Sequence, residues 1–236
     1  MKKTTETSVA AACGVPPKPR GRPLSFDRDA ALENAMHVFW ERGYEAASIS
    51  DLTAAMGITP PSLYTAFGDK EKLFLEAIER YALGPGSAGP RALAEEPTAH
   101  GAIERWLLEA ADELTRSCHP RGCMVVMAAT NCSVAAEHVQ TALAKRRAAA
   151  IANLKTRIQH GIEQGELPAD TDAKSLANFY STVYQGMSMQ AKDGATRASL
   201  LATVETAMRA WPGKAPERAS AAAAPSAKRR AVTAVR

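Results

Sequence analysis

The sequence lacks any apolar run long enough to cross a membrane. Its longest is Cys123-Met124-Val125-Val126-Met127-Ala128-Ala129, far short of the roughly 20 residues a spanning helix needs. An export signal is missing on similar grounds. Met1-Lys2-Lys3 gives a basic start and Val9–Gly14 faintly resembles a lipoprotein cleavage site. But Glu6 and a run of Thr and Ser stand where an apolar segment of roughly 7–15 residues belongs. A cytoplasmic protein without a membrane partner is therefore expected. Cysteine is scarce, with four in 236 residues, and in a reducing compartment these are expected as thiols. Catalytic signatures are missing too: there is no H-E-x-x-H, no G-x-S-x-G and no P-loop. Gly84-Pro85-Gly86-Ser87-Ala88-Gly89 matches G-x-G-x-x-G in form. It follows a helical pattern instead of a strand, and Pro90 comes next, so it reads as linker. No enzyme activity and no cofactor are expected.

What is present is ordinary for a soluble globular chain: 46% hydrophobic and 23% charged residues. The charge is unevenly placed. Residues 1–26 carry +4 and 212–236 carry +5, while 27–83 carry −5 and 84–211 are neutral. Four prolines and no apolar periodicity mark 1–26 as a disordered basic arm. Ala, Pro, Lys and Arg make 212–236 a disordered basic tail. Basic extensions of this kind suit nucleic acid or solubility.

Between the tails the period is helical, and no two-residue alternation marks a strand. Leu32, Ala35, Met36 and Phe39 form the stripe of a first helix that Gly43 ends. Ser48 and Asp51 form a capping box that opens a short second helix, closed by Gly57. Thr59 as N-cap and Pro60 at the first position open a third, running to about Phe67. Asp69 caps a fourth, with Phe74, Ala77, Ile78 and Tyr81 on one face. Gly84 to Pro97 reads as a linker with a helical turn in it. Five further helices follow: 103–114, a short one at 123–130, a long one at 139–162, then 172–191 and 195–211. The fold class is all-α, with about nine helices in two domains, 27–83 and 84–211.

Two short helices around Gly57-Ile58-Thr59 have the form of a helix-turn-helix, which sets the N-terminal end of its second helix in the major groove. Thr59, Pro60, Pro61, Ser62 and Thr65 would then lie nearest the bases. The same pattern also fits a hairpin of core helices. Further residues narrow the choice. Phe39-x3-Gly43-Tyr44, Ser48-Ile49, Met56-Gly57-Ile58 and Ser62-Leu63-Tyr64-x2-Phe67-x2-Lys70-x2-Leu73 resemble the N-terminal domain of the TetR/AcrR bacterial regulators. The resemblance covers about 27–81. It implies a homodimer that binds an operator in double-stranded DNA, and a variable second domain where a small-molecule effector releases it. By the same resemblance Tyr64 contacts phosphate or a thymine methyl, Lys70 holds a phosphate at the start of the fourth helix, and Pro61 meets a thymine methyl. Ser48 joins this set, while Leu63 and Phe67 are packing residues.

Two departures bear on recognition. Thr59–Phe67 hold no basic or amide side chain, so the forks that read guanine and adenine are missing. Ala66 stands where the family often has His. Attraction to DNA must therefore come from outside this acidic domain. Pro19-Arg20-Gly21-Arg22-Pro23 supplies a source, since it has the core of an AT-hook. Its glycine fits the floor of a narrow A·T minor groove and Arg20 and Arg22 extend along it.

In the second domain an apolar pocket is expected, with Trp106, Met124, Met127, Tyr180 and Tyr184 available to line it. Cys118, His119, Cys123, Cys132 and His138 form a Cys/His group without zinc-knuckle spacing, so no metal site is assigned. A metal- or thiol-sensing repressor and an effector-free A·T-binding architectural protein remain as alternatives. The last two helices carry long apolar stripes, and Val183, Met187, Leu201 and Val204 are expected to face a twofold partner in a four-helix bundle.

Overall fold

The computed structural model describes residues 26–130 and 132–213. Among these residues it has ten α-helices and no strand. The first four are α1 (Arg28–Ala46), α2 (Ile49–Met56), α3 (Pro60–Phe67) and α4 (Lys70–Leu83). The rest are α5 (Ala88–Glu95), α6 (Ala99–Thr115), α7 (Met124–Met127), α8 (Glu137–Glu163), α9 (Ala173–Lys192) and α10 (Arg197–Met208).

Local signals explain the first domain. Asp27 caps α1 by accepting from the amides of Asp29 and Ala30. Gly43, at φ +80°, breaks the helical path inside the last stretch of α1. Both halves of the capping box form at α2: the Asp51 amide donates to Ser48 Oγ, and the Ser48 amide donates to Asp51. Gly57 leaves α2 in the left-handed conformation at φ +66°, which a side chain would resist. Asp69 caps α4 through the Lys72 amide. One detail differs from expectation: Thr59 stands at the N-cap of α3 but makes no capping bond. Its hydroxyl shares a hydrogen bond of 3.0 Å with Ser62 Oγ instead.

Apolar faces of α1, α2, α3 and α4 meet in one core. Phe39 and Phe74 pack edge to face at 5.0 Å, with Leu52, Leu63 and Leu73 fully buried around them. Trp40 packs edge to face on Tyr81 at 4.8 Å, and the core continues from there without a break into the second domain. There α8 and α9 pack side by side, α6 crosses α9 and α10, and α7 reaches back to α1 and α4. The 84–97 segment is more ordered than a linker. A 3₁₀ turn at Pro85–Ser87 leads into α5, which packs on α6. Pro and Gly did not prevent a helix here because Pro90 falls in the first turn of α5, where its missing N–H has no helical partner to lose.

Candidate DNA-reading face, effector cavity and the joint between them

The residues expected to meet DNA share one surface. Thr59, Pro60, Pro61 and Thr65 are exposed on α3 and Ser62 is half-buried. Tyr64 is 49% exposed, which is high for a ring of its size, while Leu63 and Phe67 on the opposite face are buried. Thr65 bonds back to the Pro61 carbonyl at 2.8 Å. Ser48 is exposed, and its hydroxyl is engaged with Asp51 at the start of α2. Arg42 adds a second contact to Asp51 at 2.6 Å, and these bonds hold the Asp51 carboxyl down at about 2.

Lys70 behaves differently from the expectation. Its ammonium turns from the start of α4 onto the Glu45 carbonyl at 3.3 Å and over the Tyr44 ring at 4.6 Å. Partial burial lowers its pKa. In this conformation Lys70 braces the end of α1. Sequence reasoning missed Arg28. Its guanidinium lies over the Phe67 ring at 4.3 Å, donates to the Ala66 carbonyl at 3.2 Å and pairs with Glu76 at 2.7 Å. A cation there meets the negative end of α3 and locks it to α1 and α4. Only the position of an Arg directly after the N-cap Asp27 hinted at it. Arg20 and Arg22 lie outside the described residues.

Behind this domain is a cavity of about 340 Å³ walled by α4, α5, α6, α7, α8 and α9. Trp106 and Tyr184 line it with their rings 5.0 Å apart. The other three expected pocket residues do not line it. Met124, the first residue of α7, is fully buried in the core, and Met127 at the end of that one-turn helix is half-buried. Tyr180 is buried one turn further round α9, where its hydroxyl donates to the Ala207 carbonyl at 3.2 Å. Tyr81, Cys123 and Glu113 line the cavity instead. Burial raises the Tyr81 and Tyr184 phenols, and the neighbouring Cys123 adds to the effect.

The cavity is joined to α1 at two points. Trp40 Nε1 donates to the Gly122 carbonyl at 2.9 Å, and its ring stacks on His119 at 4.4 Å. His119 sits against Glu113 at 2.9 Å, so a cavity-wall carboxylate and an α1 tryptophan share one imidazole. Beyond α7, the Tyr44 amide donates to the Ala128 carbonyl at 2.7 Å. Gly43 permits that approach: a Cβ there would stand 3.2 Å from the Ala128 oxygen. Cys118 is exposed, Cys123 buried and Cys132 half-buried. Among the described residues no three His, Cys, Asp or Glu side chains converge as a metal site. No helix among them is long and apolar enough to cross a membrane.

Two family profiles match: the "Bacterial regulatory proteins, tetR family" over residues 31–77, and the "Tetracyclin repressor-like, C-terminal domain" over 102–211. The chain belongs to the TetR family. It is thus a DNA-binding transcriptional regulator and has no enzymatic role. The HTH-type transcriptional repressor ComR of Escherichia coli K12 is 36% identical over 197 residues, which span 83% of this chain and 93% of ComR. The repressor BdcR of the same organism is 29% identical over 79% of this chain and 90% of its own. Among solved structures, the TetR-family regulator CifR, a cysteine mutant bound to 26-base-pair operator DNA, is 48% identical with a TM-score of 0.79. That match covers 81% of this regulator and all of the CifR chain.

The expected dimer residues divide. Val183 and Leu201 are half-buried, but Met187 and Val204 are buried in the regulator's own core. Their stripes are consumed by packing on α6 and within the α9–α10 pair. Ser188 is buried and accepts from the Cys123 amide at 2.8 Å. The outer face of α9 is instead made by Phe179, Val183, Gly186 and Met189. Phe179 and Met189 are both more than two-fifths exposed, and a Cβ at Gly186 would meet nothing within 4 Å.

Proposed function

We propose that this chain is a homodimeric repressor, released from a palindromic operator when a small molecule enters the cavity behind α7. The observation that carries this reading is the shared wall. Glu113 and Cys123 face the cavity, and the loop between them holds Trp40 of α1 through His119 and Gly122. An occupant that shifts α6 or α7 shifts α1, and α1 carries α3 through the common core. The volume falls within the range of ordinary ligand sites, and most of the wall is apolar. Repression fits the printed roles of ComR and BdcR, and operator binding fits the CifR complex.

The DNA-facing surface reads sequence by shape and apolar contact through Tyr64, Pro61 and the Thr and Ser hydroxyls. The first 26 residues supply positive charge, with Arg20 and Arg22 in the flanking minor groove. The test is selection of duplexes from a random pool by the full chain, followed by footprinting. One short palindrome is the expected result, whereas protection spread over A·T tracts would favour an architectural protein. On the selected duplex, replacing Arg20 and Arg22 by Ala should weaken binding and flatten its salt dependence by a slope of about one per lost phosphate contact. Unchanged affinity and slope would remove the arm from the interface.

A further inference from the structure

The segment that the sequence reads as linker forms part of the cavity wall. Pro85, Gly86, Gly89 and Pro90 all line it. A Cβ at Gly86 would stand 2.8 Å from Tyr81 Cε1, and one at Gly89 would stand 2.9 Å from Trp106 Nε1. The two glycines let backbone lie against these rings where a side chain would have to push them aside. The space beside them is walled by Trp106 and Tyr184, 5.0 Å apart. Such a wall suits a flat or narrow apolar body.

One charge on this wall is unmatched. Three charged side chains line the cavity: Glu113, Arg146 and Arg147. Glu113 lies between His119 and Arg116, and Arg146 pairs with Glu79. Arg147, half-buried on α8, has no carboxylate partner among the described residues. Its one hydrogen bond there runs from Nη1 to the Val125 carbonyl at 2.9 Å. A guanidinium cannot shed its charge, and its other N–H groups face a largely apolar wall. We propose that the cavity binds small amphipathic monocarboxylates, with the apolar body against Trp106 and Tyr184 and the carboxylate on the Arg147 fork. This deepens the effector-released repressor described above and rests on that reading. A carboxylate matches the planar fork in shape and sign, and a single negative charge matches the one cation left over. A dianion would bring a second charge with no partner, and a cationic ligand would meet only a carboxylate that is already engaged.

The same two arginines fasten the cavity to the DNA-binding domain. Val125 lies in α7, and Ala128 just after it accepts from the Tyr44 amide of α1 at 2.7 Å. Glu79, the partner of Arg146, lies on α4. A carboxylate that engages Arg147 competes with the Val125 carbonyl for one guanidinium, and it brings negative charge to the residue next to the Arg146–Glu79 pair. Both ties hold helices that share a core with α3. The ligand therefore binds better to a state in which those ties are loosened, and that difference in affinity is what release from DNA requires.

Isothermal titration of the full chain with 3-phenylpropanoate and octanoate, each beside its neutral amide, tests the site. At least one acid should bind about tenfold or more tightly than its amide, as a charge-assisted fork predicts. Arg147→Met should lose that preference and Arg147→Lys should keep part of it, with helical content checking the fold of both. The comparison of acid with amide uses the unaltered chain, so it decides the matter even where Arg147→Met fails to fold. The bound acid should also weaken binding to the selected duplex by about tenfold, within the range of ordinary allosteric coupling. Acid and amide binding alike, neither acid binding at millimolar concentration, or an acid preference that survives in Arg147→Met would overturn the proposal. An acid that binds through Arg147 and leaves the duplex bound keeps the site and removes the effector-released reading. Amides that release the duplex while neither acid binds keep that reading and remove the carboxylate site.

Discussion

At the scale of single residues, α3 separates its two jobs cleanly. Leu63 and Phe67 are buried, whereas Tyr64 between them stands out by half its surface. Tyr64→Ala should therefore abolish specific DNA binding while leaving the melting temperature within a degree or two, since exposed side chains outside special features cost little. A melted domain would show that Tyr64 belongs to the core. Asp51 offers a second check. Its bonds to Ser48 and Arg42 hold the folded carboxyl at about 2 against an ordinary 3.8. A depressed carboxyl contributes stability above its unfolded value and loses it as pH falls through the folded one. Melting curves taken from pH 4 to pH 2 should fall more steeply for the wild type than for Asp51→Asn, and parallel curves would discount the capping box as an acid-sensitive element. Both residues were legible in the sequence, because caps and apolar spacing are local. Arg28 and the inward turn of Lys70 were not, because each depends on partners between 25 and 48 positions away.

At the scale of elements, the segment from the end of α6 through α7 has the most to do for its length. It walls the cavity and fastens α1 at Gly122, His119 and Ala128. Trp40→Phe keeps an aromatic ring against His119 and Tyr81 but leaves the buried Gly122 carbonyl without its donor. The cost should be about 1–3 kcal/mol of stability, the usual penalty for an orphaned buried acceptor. The variant should also respond less to a cavity occupant, because one of two fastenings is gone. A Trp40→Phe protein with wild-type stability and wild-type release from DNA would mean that this bond transmits nothing. Periodicity found the helices on either side of this segment but not its role. The five residues named for the pocket lie on α6, α7 and α9. Only Trp106 and Tyr184 turn to the cavity, because which side of a buried helix faces a void depends on the neighbouring helices and not on the spacing within it. Pro90 misled in the opposite direction: a proline in the first turn of α5 permits the helix that a Gly/Pro-rich stretch argued against.

At the scale of the whole molecule, the outer face of α9 is the candidate surface for bringing two DNA-reading surfaces together. One subunit presents a single α3, and operators with twofold symmetry need two recognition helices about 34–36 Å apart or a multiple of that. Phe179, Val183, Gly186 and Met189 form a stripe of period three to four along α9, mostly open to solvent, in a chain whose other long stripes are buried. A monomeric chain gains nothing by exposing Phe179 and Met189 on one line. The homodimer proposed above would cover them with a second copy across a twofold axis, with Gly186 letting the two α9 helices approach. Leu201 and Met208 on α10 are half-buried against the core. Charge at Phe179 tests this better than charge at Val204, which is buried and would unfold the subunit. Phe179→Glu, and separately Gly186→Trp, should leave helical content and melting of the subunit nearly unchanged, since both positions face outward. In sedimentation the wild type should run as a dimer at low micromolar concentration and both variants as monomers or weakened dimers. Affinity for the selected palindrome should fall with dimerisation, while the weak, salt-sensitive binding to unrelated DNA persists, because phosphate contacts do not require the partner. Variants that stay dimeric would move the interface elsewhere on the molecule, and a monomeric wild type that still protects a full palindrome would end the case for this face.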